Sequence, residues 1–174
     1  MSKSNQINIF IVEDNNVFRM ALKADIENTF TKKNIKIHLF ETGEACKEIF
    51  KEVKPEVVIL DYNLNSKFPN AINGIKVLDW IKKSNPNTNV IMLTSEDDIE
   101  IALKSFHHGA SDYVVKSETK FKKINYSLFN IFNIISAKSE AKKYRAMAIV
   151  LSLSIALLIG GIITIQYLEP SLLK

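Results

Sequence analysis

Acidic side chains, a threonine and a lysine stand at the ends of four short apolar runs in this chain. Glu13 and Asp14 follow one run, and Asp61, Thr94 and Lys116 each follow another. Three carboxylates close together repel one another unless a cation neutralises them, and hard oxygen ligands select Mg²⁺. A carboxylate held in this way, beside a hydroxyl and an ammonium group, is suited to attack phosphorus. These residue types predict phosphoryl chemistry wherever the fold brings the four run ends together.

The run before Asp61 indicates how the fold does this. Val57–Leu60 is uniformly apolar and mostly β-branched, which is typical of a strand buried on both faces of a parallel sheet. Such a strand delivers Asp61 to the carboxyl edge of the sheet, where open α/β sheets bind their ligands. An aspartate at that position could also cap a loop, so the interpretation depends on what else arrives at the same edge.

Strand and helix patterns alternate along the first 135 residues. Strands are predicted at Ile7–Val12, Ile35–Phe40, Val57–Leu60, Val90–Leu93 and Tyr113–Val115. The segments between them have apolar residues at helical spacing, as in Phe18, Leu22, Ile26 and Phe30. This alternation predicts an α/β fold with a five-stranded parallel sheet and right-handed crossovers.

The only cysteine, Cys46, excludes an internal disulfide and suits a reducing compartment. It lies in a helical pattern, so we predict a buried apolar residue rather than a nucleophile.

The net positive charge is confined to one part of the chain. Residues 1–115 contain 14 Lys and Arg against 16 Asp and Glu, whereas residues 116–145 contain eight against two. This basic segment directly precedes an apolar one. We therefore expect it to meet an anionic membrane surface rather than nucleic acid.

Residues 146–168 contain no charged side chain over 23 positions. At about 1.5 Å per residue a helix of that length spans roughly 35 Å, enough for the ~30 Å hydrocarbon core of a bilayer. We predict a single-pass anchor in the cytoplasmic (inner) membrane, with the preceding part in the cytoplasm because basic residues flank that end. A ridge of small residues could also support a homodimer in the membrane. The ridge consists of Ala148, Ser152, Ala156, Gly160 and Thr164.

The residues at the run ends resemble those of response-regulator receiver domains of two-component signalling. The resemblance rests on Glu13-Asp14, Asp61, Thr94 and Lys116, in this order and at these spacings. It implies a doubly wound, flavodoxin-like sheet with strand order 2-1-3-4-5. The predicted organisation is a receiver domain at 1–135, a basic juxtamembrane neck at 136–145, a transmembrane helix at 146–168 and a tail at 169–174.

The resemblance also implies a role for each residue. Asp61 would accept a phosphoryl group from a histidine kinase or a histidine phosphotransfer protein, with Lys116 pairing with the phosphoryl oxygens. Glu13, Asp14, Asp61 and the backbone carbonyl of Asn63 would hold Mg²⁺. Thr94 and Tyr113 would be the switch residues. Asn63 and Glu96 would tune dephosphorylation, for which we predict a short-lived phosphorylated state.

Two alternatives use similar parts. Haloacid-dehalogenase-like phosphatases also combine an aspartate, a hydroxyl, a lysine and Mg²⁺, but they need a second aspartate where this chain has Asn63. A membrane scaffold with a receiver fold would dock partners without phosphorylation.

We expect a signalling switch that acts on an unknown downstream protein, without nucleic-acid contact or a DNA-binding output domain. We expect no enzymatic activity beyond its own phosphorylation and dephosphorylation.

Overall fold

The computed structural model describes residues 6–64, 72–95 and 98–168. The elements run β1 (Ile7–Val12), α1 (Asn16–Thr29), β2 (Ile35–Phe40), α2 (Gly43–Val53), β3 (Val57–Asp61), α3 (Gly74–Ser84), β4 (Asn89–Thr94), α4 (Ile99–His107), β5 (Asp112–Val115) and α5 (Lys120–Leu168). All strand pairs are parallel and the sheet order is β2-β1-β3-β4-β5. The predicted α/β fold and strand order are confirmed.

The central strands are buried because their side chains are apolar on both faces. Every residue of β3 is buried, as in a sheet that has helices on both sides. On one side, Phe50 of α2 packs edge-on between Phe10 of β1 and Trp80 of α3, at ring-centroid distances of 6.1 and 4.8 Å. On the other side, Asn125 of α5 donates to Asp25 of α1 at 2.7 Å.

Four helices begin with a polar cap that fixes the turn after the preceding strand. Asn15, Thr42, Asn73 and Asp98 each accept a hydrogen bond from a backbone amide in the first turn of α1, α2, α3 and α4. Such caps satisfy amides that the helix itself leaves unpaired. They also stop each strand at a defined residue, which fixes the position of the side chains at the carboxyl edge.

The apolar side chains of α4 are less buried than its helical pattern suggests. Its buried residues are Ile101 and Ser105, whereas Ile99 and Leu103 are 75% and 63% exposed. The helix forms where the sequence predicts it, but most of its large apolar side chains face solvent.

The chain divides into two compact units, Met1–Phe129 and Asn130–Lys174. In the second unit, residues 140–164 of α5 are exposed along their whole length, including large apolar side chains from Met147 to Ile163. Within the described part of the chain, α5 is the one helix long and apolar enough to cross a membrane, judged by length and composition.

Candidate functional site

Three carboxylates meet at the carboxyl edge of the sheet. Glu13 and Asp14 follow β1, and Asp61 ends the neighbouring strand β3 in parallel register, with Val12 beside Leu60. The three residues are 1%, 5% and 2% exposed. One carboxylate oxygen from each lies within 4.8 Å of the others. The sheet therefore brings together the acidic cluster that the sequence predicts.

Lys116 reaches this cluster from the end of β5. Its Nζ lies 2.7 Å from Oε2 of Glu13 and 2.9 Å from Oδ2 of Asp61. Its backbone amide donates to the carbonyl of Thr94 at 2.7 Å, which fixes the chain as it leaves the strand. The ammonium also lies 5.0 Å from the ring centre of Phe18, and this ring covers one side of it. One cation thus faces two buried carboxylates.

The pKa values of this pair reflect both burial and charge. Burial, together with the nearby Asp61 carboxylate, raises the pKa of Glu13 to about 7 even though Lys116 opposes the shift. Burial alone would lower the pKa of Lys116, but Asp61 and Glu13 outweigh it and raise that pKa. Lys116 therefore stays an ammonium group at neutral pH, in contact with the carboxyl groups of both Glu13 and Asp61.

The arrangement of the acidic oxygens fits a divalent cation. Oδ1 of Asp61 is buried and has no hydrogen-bond partner among the described residues, although a buried carboxylate oxygen is normally paired. The donor set consists of carboxylate oxygens from Glu13, Asp14 and Asp61, which are the ligands that Mg²⁺ prefers. These three residues could hold the ion, with Oδ1 of Asp61 available to it or to an incoming phosphoryl group.

The two predicted switch residues lie on the neighbouring strands. Thr94 ends β4 one residue beyond the partner of Asp61 in the sheet, Leu93, and is fully buried. Tyr113 of β5 is half-buried against the core, and its hydroxyl donates to the carbonyl of Asp98 at 3.4 Å. Thr94 therefore lies on the strand beside the one that carries Asp61, and Tyr113 lies one strand further along the sheet.

Gly74 is required where α3 begins beside Asp61. Its amide donates to the carbonyl of Tyr62 at 3.0 Å. A Cβ atom at Gly74 would collide with the backbone carbonyl of Asp61 and with Cα of Tyr62. A glycine at this point lets the helix start in contact with the strand end that carries Asp61.

Arg19 is a residue of the site that the sequence did not reveal. It lies on α1 with its side chain 7% exposed, and Nη1 donates to the backbone carbonyl of Glu13 at 2.5 Å. Nη2 donates to Asn16 at 2.9 Å and to Oε1 of Glu41 at 2.7 Å. The guanidinium thus joins the turn after β1 to the turn after β2. Nothing in the local sequence distinguishes Arg19 from a solvated charge on α1, because its partner Glu41 is distant in the chain.

Three further residues considered in the sequence are Asn63, Glu96 and Cys46. Asn63, two positions after Asp61, is half-buried. Glu96 lies outside the described residues. Cys46 is fully buried, and burial raises its pKa to about 12, so its thiol is not a nucleophile at neutral pH.

The fold and the edge residues together define a receiver. A family model for the response regulator receiver domain matches residues 9–125. The chain therefore belongs to the response-regulator receiver family.

Known proteins that resemble the chain are regulators and receiver domains. The regulatory protein AtoC of Escherichia coli is 29% identical over 109 residues, which cover 62% of this chain and 22% of AtoC. The DNA-binding transcriptional regulator NtrC of Proteus hauseri is 25% identical over 109 residues, with coverage of 63% and 21%. The chain thus spans about a fifth of the length of these relatives.

Solved structures show the same fold. The response regulator domain of Thermotoga maritima CheB is 28% identical with a TM-score of 0.58, and the match covers 74% of this chain and 96% of that one. The receiver domain of NtrX from Brucella abortus is 21% identical with a TM-score of 0.62, and the match covers 72% and 98%.

Proposed function

We propose that this protein is a membrane-anchored signalling switch that is phosphorylated on Asp61. The observation that carries the proposal is the environment of that carboxylate. Oδ2 lies 2.9 Å from Lys116, while Oδ1 is buried and has no hydrogen-bond partner among the residues described. A phosphoryl group added to Oδ1 would place new negative charge beside a cation that is already held in position.

The proposed reaction is an in-line transfer from phosphohistidine. An oxygen of Asp61 attacks phosphorus, an O–P bond forms, and the N–P bond to the imidazole breaks with its electron pair left on nitrogen. Lys116 pairs with the phosphoryl oxygens. Glu13, Asp14, Asp61 and the carbonyl of Asn63 would hold Mg²⁺, which would supply further positive charge to the transferred group. The donor is a histidine kinase or a histidine phosphotransfer protein.

The phosphorylated state is read through Thr94 and Tyr113 in this proposal. Thr94 would move toward the new phosphoryl group, and Tyr113 would follow inward, which changes the surface of α4, β5 and α5. Exposed apolar side chains on α4 offer contact area for a downstream protein. Asn63 and Glu96 would position the water that returns Asp61 to its carboxylate, and the chemistry would remain confined to this aspartate.

Membrane placement is the second part of the proposal. It is supported by the exposed, charge-free length of α5 and by the basic residues before it. Treating isolated membranes that contain the chain with alkaline carbonate tests this directly. A spanning helix keeps the protein in the membrane pellet, whereas release into the supernatant would contradict the anchor.

Labelling by a small phosphodonor tests the phosphorylation. The full chain in detergent micelles should take up one phosphoryl group from acetyl phosphate in the presence of Mg²⁺ and none in its absence. Asp61→Asn should abolish labelling. Asp79→Asn is the matched control, because this aspartate lies on α3 and pairs with His108 instead. Failure of the wild-type chain to label would favour a scaffold that docks partners without phosphorylation.

A further inference from the structure

The segment 136–145, named here the basic neck, carries positive charge that no described residue neutralises. It contains Lys138, Lys142, Lys143 and Arg145 against the single acid Glu140, and all five side chains are exposed. None of the four basic side chains makes an ion pair with another described residue. Lys138 and Lys142 are four positions apart on a helix and repel each other. The described part of the chain therefore leaves these cations available to anions of another molecule.

The four basic residues lie at different distances from Ala146, the start of the apolar segment. With a helical rise of about 1.5 Å per residue, Arg145, Lys143 and Lys142 lie within about 6 Å of Ala146, where the apolar stretch begins. The headgroup layer of one leaflet is about 5–7 Å thick, so these three side chains fall inside it. Lys138 lies about 12 Å from that boundary, and so about 5–7 Å outside the headgroup layer, where salt partly screens its attraction to the phosphates.

The side chains of the basic neck point in several directions around the helix, which favours binding to a layer of lipid headgroups over binding to one face of a macromolecule. Successive residues of a helix are turned by about 100°, so Lys143 and Tyr144 lie on different sides from Lys142 and Arg145. Tyr144 is 66% exposed and has the character of an interfacial aromatic residue. A nucleic-acid duplex would contact one face of the helix, whereas lipid headgroups surround a spanning helix on all sides. The spread of charge therefore favours lipid.

We propose that Lys142, Lys143 and Arg145 bind the phosphate groups of anionic lipids in the leaflet at the amino-terminal end of the apolar segment. Lys138 contributes only a screened attraction. The proposal rests on the membrane placement proposed above and adds a lipid preference to it. The lysine and arginine stems lie along the helix while their charged ends reach the phosphates.

A lipid titration of the full chain tests this preference. The purified protein in detergent micelles is titrated with phosphatidylglycerol or with phosphatidylcholine, and bound lipids are counted by native mass spectrometry. Each cation near the surface contributes about fivefold in affinity. The wild-type chain should therefore prefer phosphatidylglycerol by about fivefold for each of three bound lipids, which is on the order of 100-fold for the three together at low salt and less at high salt.

Matched variants assign the preference to residues. Replacement of Lys142, Lys143 and Arg145 by glutamine should remove most of it, and Lys138→Gln should change it less than any one of those three replacements alone. The control is Lys122→Gln with Lys123→Gln, which removes charge in the first turn of α5 and should leave the preference unchanged.

Two results would overturn the proposal. One is equal binding of the two lipids by the wild-type chain, and the other is a loss in the triple variant no larger than in the control. Retention in carbonate-washed membranes reports on the anchor separately, so a chain that stays embedded without a lipid preference contradicts this proposal alone.

Discussion

The carboxyl edge of the sheet and the basic neck are both rich in charged residues, but these are buried and paired at the edge and exposed in the neck. At the edge, Glu13, Asp61 and Lys116 are buried or nearly so, and the two acids lie within 3 Å of the ammonium. In the neck, Lys142 and Arg145 are exposed and unpaired among the described residues. Burial makes the edge interactions strong and geometrically defined, whereas exposure keeps the neck interactions weak, additive and sensitive to salt.

This difference matches the two kinds of phosphate in the proposals, the phosphoryl group on Asp61 and the phosphates of lipid headgroups. A single phosphoryl group on Asp61 needs fixed donors at one place, which a sheet edge provides. A fluid layer of headgroups needs only a local excess of positive charge. The comparison predicts that substitutions at the edge change folding and chemistry together, while substitutions in the neck change neither.

The largest effect is expected from Lys116→Met. This variant leaves two buried carboxylates without their cation, and breaking a buried pair costs about 3–5 kcal/mol. The metal-free chain should lose about 3 kcal/mol of unfolding free energy, measured by urea titration with the fluorescence of Trp80, the only tryptophan. Mg²⁺ should restore part of that loss. The control is Lys123→Met, because Lys123 is exposed. Equal stability of the two variants would contradict the stabilisation of the buried carboxylates by Lys116.

A smaller loss is expected from Gly74→Ala, because the new methyl group collides with the backbone that carries Asp61. Overpacking of this kind costs about 1–3 kcal/mol, and phosphodonor labelling should slow as the Asp61 carbonyl shifts. The same urea titration measures the first effect. At Gly161 an added Cβ meets nothing within 4 Å, so Gly161→Ala should leave both stability and labelling unchanged.

Arg19→Ala should cost about 1.5–3 kcal/mol through lost charge-assisted hydrogen bonds. Because Arg19 holds the carbonyl of Glu13, the variant should also bind Mg²⁺ more weakly, measured by isothermal titration calorimetry of the folded protein. Arg19→Lys keeps the charge and should recover part of the Mg²⁺ affinity. Lower stability with unchanged Mg²⁺ affinity would limit Arg19 to a structural role.

The smallest effect is expected in the neck. Replacement of Lys142, Lys143 and Arg145 by glutamine should change the unfolding free energy of the receiver by no more than about 0.5 kcal/mol, as for other surface substitutions. Phosphodonor labelling should also be unchanged. A loss above about 1 kcal/mol would mean that the neck supports the receiver fold, and the contrast between the two regions would fail.

The sequence predicts the strands and the chemistry at their ends because both depend on local patterns. Val57–Leu60 is apolar on both faces, so its burial and the position of Asp61 follow from the order of residues alone. Arg19 could not be predicted in this way. On the helical pattern it resembles a solvated charge, and its burial depends on Glu41, which comes from another turn 22 positions away.

The outward-facing residues of α4 show a second limit. Ile99 and Leu103 have the spacing of a buried face, yet the helix turns Ile101 and Ser105 toward the sheet. Which face of a short apolar helix is covered depends on its neighbours in space, and periodicity does not contain that information. The same pattern therefore predicts the helix correctly and leaves its orientation open.

The hydrogen bond from the amide of Gly74 to the carbonyl of Tyr62 has a consequence for how this protein can diverge. It joins the two ends of the connection between β3 and α3 at 3.0 Å, directly beside Asp61. In general, each doubling of the length of a loop adds only about 0.6 kcal/mol to the cost of bringing its ends together. Insertions and deletions between Leu64 and Ile72 can therefore accumulate without displacing the aspartate, so new recognition sequences can evolve next to an unchanged reaction centre.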